Sequence, residues 1–226
     1  MNLKDKLAAL DQIYHIYDRF MTGQELACKK GCAHCCTTSV TLTTIEGYTI
    51  INQLLSEKDT DWKRILRRAP KIAHFRPQIT TNQLAHMCAE GIEPLDEKKP
   101  ERQACPFLSQ DQCPLYRVRP FGCRCLVSRH DCGKHGYADI DEFVLSVNTV
   151  LLQTIEHLDA DGCSGNMLDV LRVMAGQENR QAYKEGKLDC AAKALIENQP
   201  LKILMIPPEH RTRMKPILQS LRDIRF

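Results

Sequence analysis

Residues 28–36 read CKKGCAHCC. Four cysteines lie within these nine residues: Cys28, Cys32, Cys35 and Cys36. The stretch has no apolar periodicity, and Gly31 permits a tight turn, so it predicts a loop and not a helix or a strand. Thiolates are soft ligands that select zinc, copper(I) or iron–sulfur clusters over hard cations. This stretch therefore predicts a metal-binding loop.

The adjacent cysteines at the end of this loop pose a geometric problem. Neighbouring side chains diverge in both helix and strand, so Cys35 and Cys36 are not expected to point at the same ion. One of them is expected to serve a second metal, to bridge two metals or to stay free. The neighbouring Lys29 and Lys30 are expected to offset part of the thiolate charge.

A second cysteine-rich stretch, residues 104–132, reads ACPFLSQDQCPLYRVRPFGCRCLVSRHDC. It supplies five further thiols: Cys105, Cys113, Cys123, Cys125 and Cys132. Its prolines stiffen the chain and so reduce the entropy lost when the loop orders around a metal. Three basic side chains are expected to donate to sulfur or to neutralise an anionic cluster: Arg117, Arg119 and Arg124.

The order of these motifs resembles the YkgJ-type cysteine-cluster family, also known as the zinc- or iron-chelating CxxCxxCC domain. The first loop is followed by a helix that carries Glu46. The second loop then presents Cys105-Pro106-Phe107-Leu108, Cys113-Pro114-Leu115-Tyr116, Arg119-Pro120 and Cys123-Arg124. The resemblance covers about residues 10–135, and the first cysteine gap is three residues here where the family label has two.

The resemblance implies metal ligation by eight thiols. They are Cys28, Cys32, Cys35, Cys36, Cys105, Cys113, Cys123 and Cys132. Spacing favours Cys132 as the eighth ligand, and Cys125 is the alternative. Eight thiolates divide naturally into two four-cysteine sites, each of which suits a structural zinc ion or an iron–sulfur cluster.

Three functions remain open at this point. The first is a metal-binding protein in which an iron–sulfur cluster, which we favour, or zinc is structural, transfers electrons or serves metal handling. The second is an iron–sulfur-dependent enzyme that resembles the flagellin lysine N-methylases and transfers a methyl group. The third is a zinc-folded binding module, for which the basic segment from Trp62 to Arg76 is the one hint.

One enzyme class is disfavoured by the surrounding sequence. Cys28, Cys32 and Cys35 also spell the C-x3-C-x2-C signature of radical S-adenosylmethionine enzymes. That family places the motif after the first strand of a βα barrel, whereas an amphipathic helix precedes it here, and alternating strand–helix units are missing.

The apolar spacing predicts a mainly α fold, a single helical domain in which two cysteine-rich loops bind metal and little or no sheet forms. Residues 1–226 are expected to form one domain, with a cysteine-cluster core over 10–135 and a helical C-terminal extension over 137–226 packed on it. Predicted helices include 59–76, 164–185 and 188–197. The best strand candidates are Ser39–Leu42 and Leu201–Ile206, and Thr43 with Glu46 predicts a capping box that opens a helix.

The bulk composition narrows the classes further. The net charge of +3, from 31 basic and 28 acidic residues, is too small to argue for nucleic acid. No apolar run is long enough for a membrane span, and residues 1–20 lack a secretory signal, so we expect a cytoplasmic protein. A disulfide scaffold is disfavoured because thiols stay reduced in the cytoplasm. Core packing is the expected role of Cys88, Cys163 and Cys190.

Overall fold

The computed structural model describes residues 1–29, 31–57, 61–94, 96, 101 and 103–224. About 52% of the chain is helical and 6% is in strands, which confirms the predicted mainly α fold. The helices are α1 (Leu3–Met21), α2 (Thr44–Ser56), α3 (Asp61–Arg68), α4 (Thr81–Ala89), α5 (Phe121–Arg124), α6 (Cys132–His135), α7 (Glu142–Leu158), α8 (Met167–Ala175), α9 (Gln177–Lys184) and α10 (Arg211–Arg222). The strands are β1 (Thr41–Thr43), β2 (Cys163–Asn166) and β3 (Ile196–Glu197). Short 3-10 turns cover Ala69–Lys71, Ala191–Lys193 and Pro208–His210.

Helix α1 forms from the amphipathic pattern at the N-terminus. The Asn2 side chain caps it by accepting a hydrogen bond of 2.9 Å from the Asp5 amide. Its apolar stripe, represented by Leu10, Ile13 and Tyr17, is buried. Helix α1 packs against α7 and α2, so it forms one wall beside the first cysteine loop.

The apolar core lies between α2, α7 and α8. Ile45, Leu151 and Leu171 have no exposed surface there. Helix α8 approaches α2 closely at Gly47, where an added Cβ would lie 2.7 Å from a methyl group of Val170. The division of the chain into a core over 10–135 and an extension over 137–226 stays a prediction.

A small antiparallel sheet connects the first cysteine loop to the second half of the chain. Strand β1 pairs with β2, with Thr41 opposite Asn166, and β2 pairs with β3. The Asn166 side chain also donates to the Thr38 carbonyl at 2.7 Å. The predicted strand Ser39–Leu42 overlaps β1, so the sheet begins where the cysteine loop ends.

Several predicted element limits are wrong for tertiary reasons. Residues 164–185 do not form one helix, because residues 164–166 pair with β1 and the helix is interrupted at Gly176 between α8 and α9. Residues 188–197 form a 3-10 turn and β3 instead of a helix. The predicted helix 59–76 ends at Arg68 as α3. Residues 58–60 lie outside the described residues.

The predicted strand Leu201–Ile206 is also absent from the described structure. Side chains of α7 bind this segment instead of a neighbouring strand. Gln153 accepts from the Met205 amide at 2.9 Å and donates to the Ile203 carbonyl at 2.8 Å. Backbone groups that a sheet would pair are thus bound by a buried amide.

Two of the three isolated cysteines form a disulfide, which corrects the expectation of simple core packing. Cys163 and Cys190 are bonded, with their Cα atoms 5.8 Å apart, and both are buried. Cys88 is exposed, because it lies in the last turn of α4 beyond the buried Asn82 and Ala85. Within the described residues, none of the helices combines the length and the apolar character needed to cross a membrane.

The buried carboxylate of Glu46 joins α1, α2 and α5. It accepts hydrogen bonds of 2.7 Å from the Tyr14 hydroxyl and 2.7 Å from the Phe121 amide. It also accepts from the Thr43 amide at 2.9 Å and from the Thr43 hydroxyl at 3.0 Å. The predicted capping box is therefore confirmed, and its carboxylate also binds two distant elements.

A second buried carboxylate, Asp159, holds the start of α2 against the end of α7. It accepts from the Thr44 hydroxyl at 2.7 Å, the Ile45 amide at 2.9 Å and the Tyr183 hydroxyl at 2.6 Å. Burial is the largest influence on this group, and it raises the pKa of Asp159 to about 6 against the opposing effect of these hydrogen bonds.

We expect Glu46→Gln to lower the free energy of unfolding by about 2–4 kcal/mol, because one amide oxygen cannot accept all four hydrogen bonds. Chemical denaturation measures this loss. Glu178→Gln, at an exposed position of α9, is the matched control and should change stability by less than about 0.5 kcal/mol. Equal losses in the two variants would contradict the role assigned to Glu46.

Asp159 predicts a particular pH dependence of stability. Its folded-state pKa lies above that of an unfolded aspartate, so its contribution is complete below about pH 4 and is lost as the pH rises through 6. Relative to Asp159→Asn, the wild-type free energy of unfolding should fall by roughly 3 kcal/mol between about pH 4 and 7. Denaturation at a series of pH values measures this, and Glu178→Gln, at an exposed site of α9, should keep the wild-type profile. Parallel profiles for wild type and Asp159→Asn would exclude the role.

Candidate metal centre

The backbone holds the two cysteine loops together at both ends of the first loop. The Ala27 amide donates to the Ser128 carbonyl at 2.9 Å. At the other end, the Cys105 amide donates to the Cys36 carbonyl at 2.9 Å, and Thr37 forms an antiparallel bridge with Ala104. Residues far apart in sequence thus run side by side, as metal ligation by both loops requires.

The second loop is fixed to the core through Phe121. Its ring is fully buried and packs against Tyr17, and its amide binds Glu46. Phe121 opens α5, so the single turn of helix places Cys123 beside the first loop. The carbonyl of Cys125 accepts from the Asn148 side chain at 3.2 Å, which ties the end of this turn to α7.

One group of thiols gathers around Cys28. Burial raises the pKa of Cys28, and three neighbouring thiols add to that shift. These neighbours are Cys35, Cys32 and Cys132. The Cys28 thiol also lies 3.9 Å from the Ser128 carbonyl of the second loop. We call these four residues the first thiol group.

A second group gathers around Cys123. Burial raises the pKa of Cys123 strongly, and the nearby thiols of Cys105, Cys113 and Cys125 raise it further. Cys36 belongs here as well, because the thiols of Cys123, Cys105 and Cys113 all act on it. We call Cys36, Cys105, Cys113 and Cys123 the second thiol group. By these neighbours we sort the eight predicted ligands into two groups of four, and metal binding by each group stays a prediction.

The adjacent cysteines connect these two groups. A hydrogen bond with the Cys35 thiol is the largest influence on Cys36 and lowers its pKa, against burial and the neighbouring thiols. The same hydrogen bond raises the pKa of Cys35. By their neighbouring thiols, Cys35 lies with the first group and Cys36 with the second. The expectation that the pair does not serve one ion stays a prediction.

The thiols line one cavity of about 840 Å³. Its wall includes all the cysteines of both groups except Cys132, together with Tyr17, Tyr116 and Arg119. In the ranges that the structure describes, no three His, Cys, Asp or Glu side chains already form a finished ligand set. Soft sulfur donors around a shared space are nevertheless the donor chemistry that zinc or an iron–sulfur cluster requires.

Cys125 lies near both groups but is absent from the cavity wall: its thiol raises the pKa of Cys123, and the Cys35 thiol raises the pKa of Cys125. Its thiol donates to the Gly122 carbonyl at 3.6 Å, and burial raises its pKa to about 12. Cys132, in contrast, is a neighbour of Cys28. Neither Cys125 nor Cys132 lines the cavity, and the choice of Cys132 as the eighth ligand stays a prediction.

The predicted arginine donors divide into different roles. Arg119 lies near the second group: burial raises the pKa of Cys113, and the positive charge of Arg119 partly opposes that shift. Its guanidinium stacks on Tyr116 at 4.2 Å from the ring centre. Arg124 instead stacks on the Tyr14 ring and donates to the Arg119 carbonyl at 3.0 Å, so it shapes the loop backbone.

The other basic and aromatic side chains near the loops are less involved. Arg117 and Lys29 are exposed, and Lys30 lies outside the described residues.

The sequence pattern does not reveal Tyr17 as a wall residue, because its position in the apolar stripe of α1 looks the same as that of any core residue. Only the fold brings that helix face to the thiols.

A family model described as "CxxCxxCC: Putative zinc- or iron-chelating domain" matches residues 27–142, just over half of the chain. The chain belongs to the CxxCxxCC family. This confirms the resemblance drawn from the motifs. No curated protein and no solved structure matches the chain.

The CxxCxxCC match coincides with the part of the fold that carries the thiols. It begins one residue before Cys28 and ends at Glu142, the first residue of α7. All eight predicted ligands lie within it, so a zinc- or iron-chelating domain contains both loops. Helix α1, with Tyr17, lies before the CxxCxxCC match and completes the cavity wall.

We expect Gly122→Ala to disturb this site, because an added Cβ would lie 2.6 Å from the Thr41 carbonyl oxygen and 3.1 Å from a Val40 methyl. The turn that carries Cys123 must shift, at a cost of about 1–3 kcal/mol in unfolding free energy. Denaturation and metal content measure the two effects.

Gly23→Ala is the matched control, because no atom lies within 4 Å of its added Cβ. It should leave stability within about 0.5 kcal/mol of wild type and metal content unchanged. Wild-type behaviour of Gly122→Ala would show that α5 does not need its close approach to β1.

Proposed function

We propose that this protein coordinates iron–sulfur clusters, in preference to zinc, through the thiolates of its two cysteine loops. The ligands are the first thiol group, Cys28, Cys32, Cys35 and Cys132, and the second thiol group, Cys36, Cys105, Cys113 and Cys123. The observation that carries the proposal is that seven of these eight thiols, all except Cys132, line one cavity.

The shared space favours a cluster over single ions. A structural zinc ion needs four ligands drawn tightly around one point, and zinc ribbons usually supply them as paired C-x2-C turns. This chain has a single C-x2-C spacing, from Cys32 to Cys35, with Cys36 adjacent to it, and its thiols line a cavity of about 840 Å³. Arg119 beside the second group supplies the positive charge that an anionic cluster gains from.

The same cavity supports a second candidate function, an iron–sulfur-dependent enzyme. Its volume lies within the range of small-molecule sites. Tyr116 and Arg117 line it and are exposed, so a ligand has access to them from solvent. A cluster with an open iron supplies a binding position for substrate, and the resemblance to lysine N-methylases suggests methyl transfer. Binding of S-adenosylmethionine by the anaerobically purified, metal-loaded protein would favour this candidate over a non-catalytic role.

Anaerobic purification followed by iron, zinc and acid-labile sulfide analysis tests the proposal directly. We expect a coloured protein with equal amounts of iron and sulfide. Cys32→Ser should remove metal from the first group and Cys123→Ser from the second. Both should lower the stability of the loaded protein, because metal binding is linked to folding.

Two cysteines outside the groups provide controls. Cys88→Ser, at an exposed site in α4, and Cys125→Ser should keep the wild-type metal content, whereas Cys132→Ser should lose metal. Colourless protein with stoichiometric zinc would overturn the preference for iron. Equal metal loss in Cys88→Ser and Cys123→Ser would overturn the assignment of ligands.

A further inference from the structure

Tyr17 presents a buried hydroxyl that has no partner in the described part of the chain. Only 2% of its surface is exposed, and its ring packs edge-on against Phe121 with ring centres 4.9 Å apart. The hydroxyl oxygen is inaccessible and makes no hydrogen bond to any described residue. Buried polar groups almost always have partners, so this one requires an explanation.

Two other buried tyrosines bind carboxylates through their hydroxyls. Tyr14 donates to Glu46 at 2.7 Å, and Tyr183 donates to Asp159 at 2.6 Å. Phenylalanine would fill the space of Tyr17 without leaving a polar atom unpaired. The retained hydroxyl therefore points to an acceptor that the protein chain alone does not provide.

The surroundings of Tyr17 identify the kind of acceptor. Tyr17 lies in the wall of the cavity that the thiols share. Burial raises the pKa of Tyr17, and the groups that act on it next are Cys125, Arg119, Asp18 and Cys28. The phenol keeps its proton at neutral pH and lies among sulfurs, one of which belongs to the first thiol group.

We propose that Tyr17 is a positioning residue of the metal centre, whose hydroxyl donates a hydrogen bond to the Cys28 sulfur when that sulfur is bound to metal. This rests on the proposed function. A metal-bound thiolate carries more negative charge than a thiol and is the stronger hydrogen-bond acceptor. Tyr17 and Cys28 both line the shared cavity, so the two side chains border the same space.

Such a hydrogen bond has effects that simple packing does not. It withdraws negative charge from the sulfur and so favours the reduced, more negative state of a cluster. It also satisfies the hydroxyl only in the metal-loaded protein. Loss of the hydroxyl should therefore not destabilise the metal-free protein, whereas it should weaken the metal-loaded protein.

Tyr17→Phe tests the proposal with the full-length protein in both forms. The metal-free variant should be at least as stable as the metal-free wild type, because an unpaired buried hydroxyl is removed. The iron-loaded variant should release iron to a chelator faster and have a more negative reduction potential. If the protein binds zinc, Co(II) loading should show the sulfur-to-metal absorption band at lower energy in the variant.

Tyr137→Phe, which removes an exposed hydroxyl, should change none of these properties. Equal changes in the metal-free and loaded forms of Tyr17→Phe, or no change in either, would overturn the proposal. The effect should also persist when Cys125 is replaced by serine, and its disappearance there would exclude Cys28 as the acceptor. A wild-type protein that binds no metal would overturn the proposed function and, with it, this role of Tyr17.

Discussion

The carboxylate of Glu46 joins the parts of the molecule on which the thiol arrangement depends. One oxygen accepts from Tyr14 on α1 and from the amide of Phe121 at the start of α5, while the other accepts from Thr43 at the start of α2. A buried carboxylate must satisfy its oxygens within the protein, so these donors cannot separate cheaply. Because Phe121 lies two residues before Cys123, this interaction fixes the second loop against the helices that flank the first.

Backbone hydrogen bonds between the two cysteine loops align them with each other. The hydrogen bond from the Cys105 amide to the Cys36 carbonyl puts one cysteine of each loop side by side. The hydrogen bond from the Ala27 amide to the Ser128 carbonyl joins the loops at the other end. These backbone contacts hold the sulfurs in a common space. The two thiol groups do not follow chain order, because Cys132 joins the cysteines of the first loop and Cys36 joins those of the second. Each thiol group contains cysteines from both loops, so metal binding by these groups would require both loops together.

The second half of the chain contributes more than the sequence suggested. Strand β2 pairs with the strand that follows the first loop, and α7 holds residues 201–206 through Gln153. The disulfide between Cys163 and Cys190 joins β2 to the 3-10 turn before β3. Single-residue packing was the natural expectation for these two cysteines, because 26 residues separate them and neither belongs to a motif.

Local chemistry was enough to predict the features that depend on neighbours in sequence. The helical class, the cap of α2, the two cysteine loops and membership in the CxxCxxCC family all follow from spacing and residue type. Tertiary structure alone decided which thiols stand together, because the groups mix cysteines from loops about 70 residues apart. It likewise turned residues 163–166 into a strand by supplying β1 as a partner, and it brought the unpaired hydroxyl of Tyr17 to the thiols by packing α1 against α5.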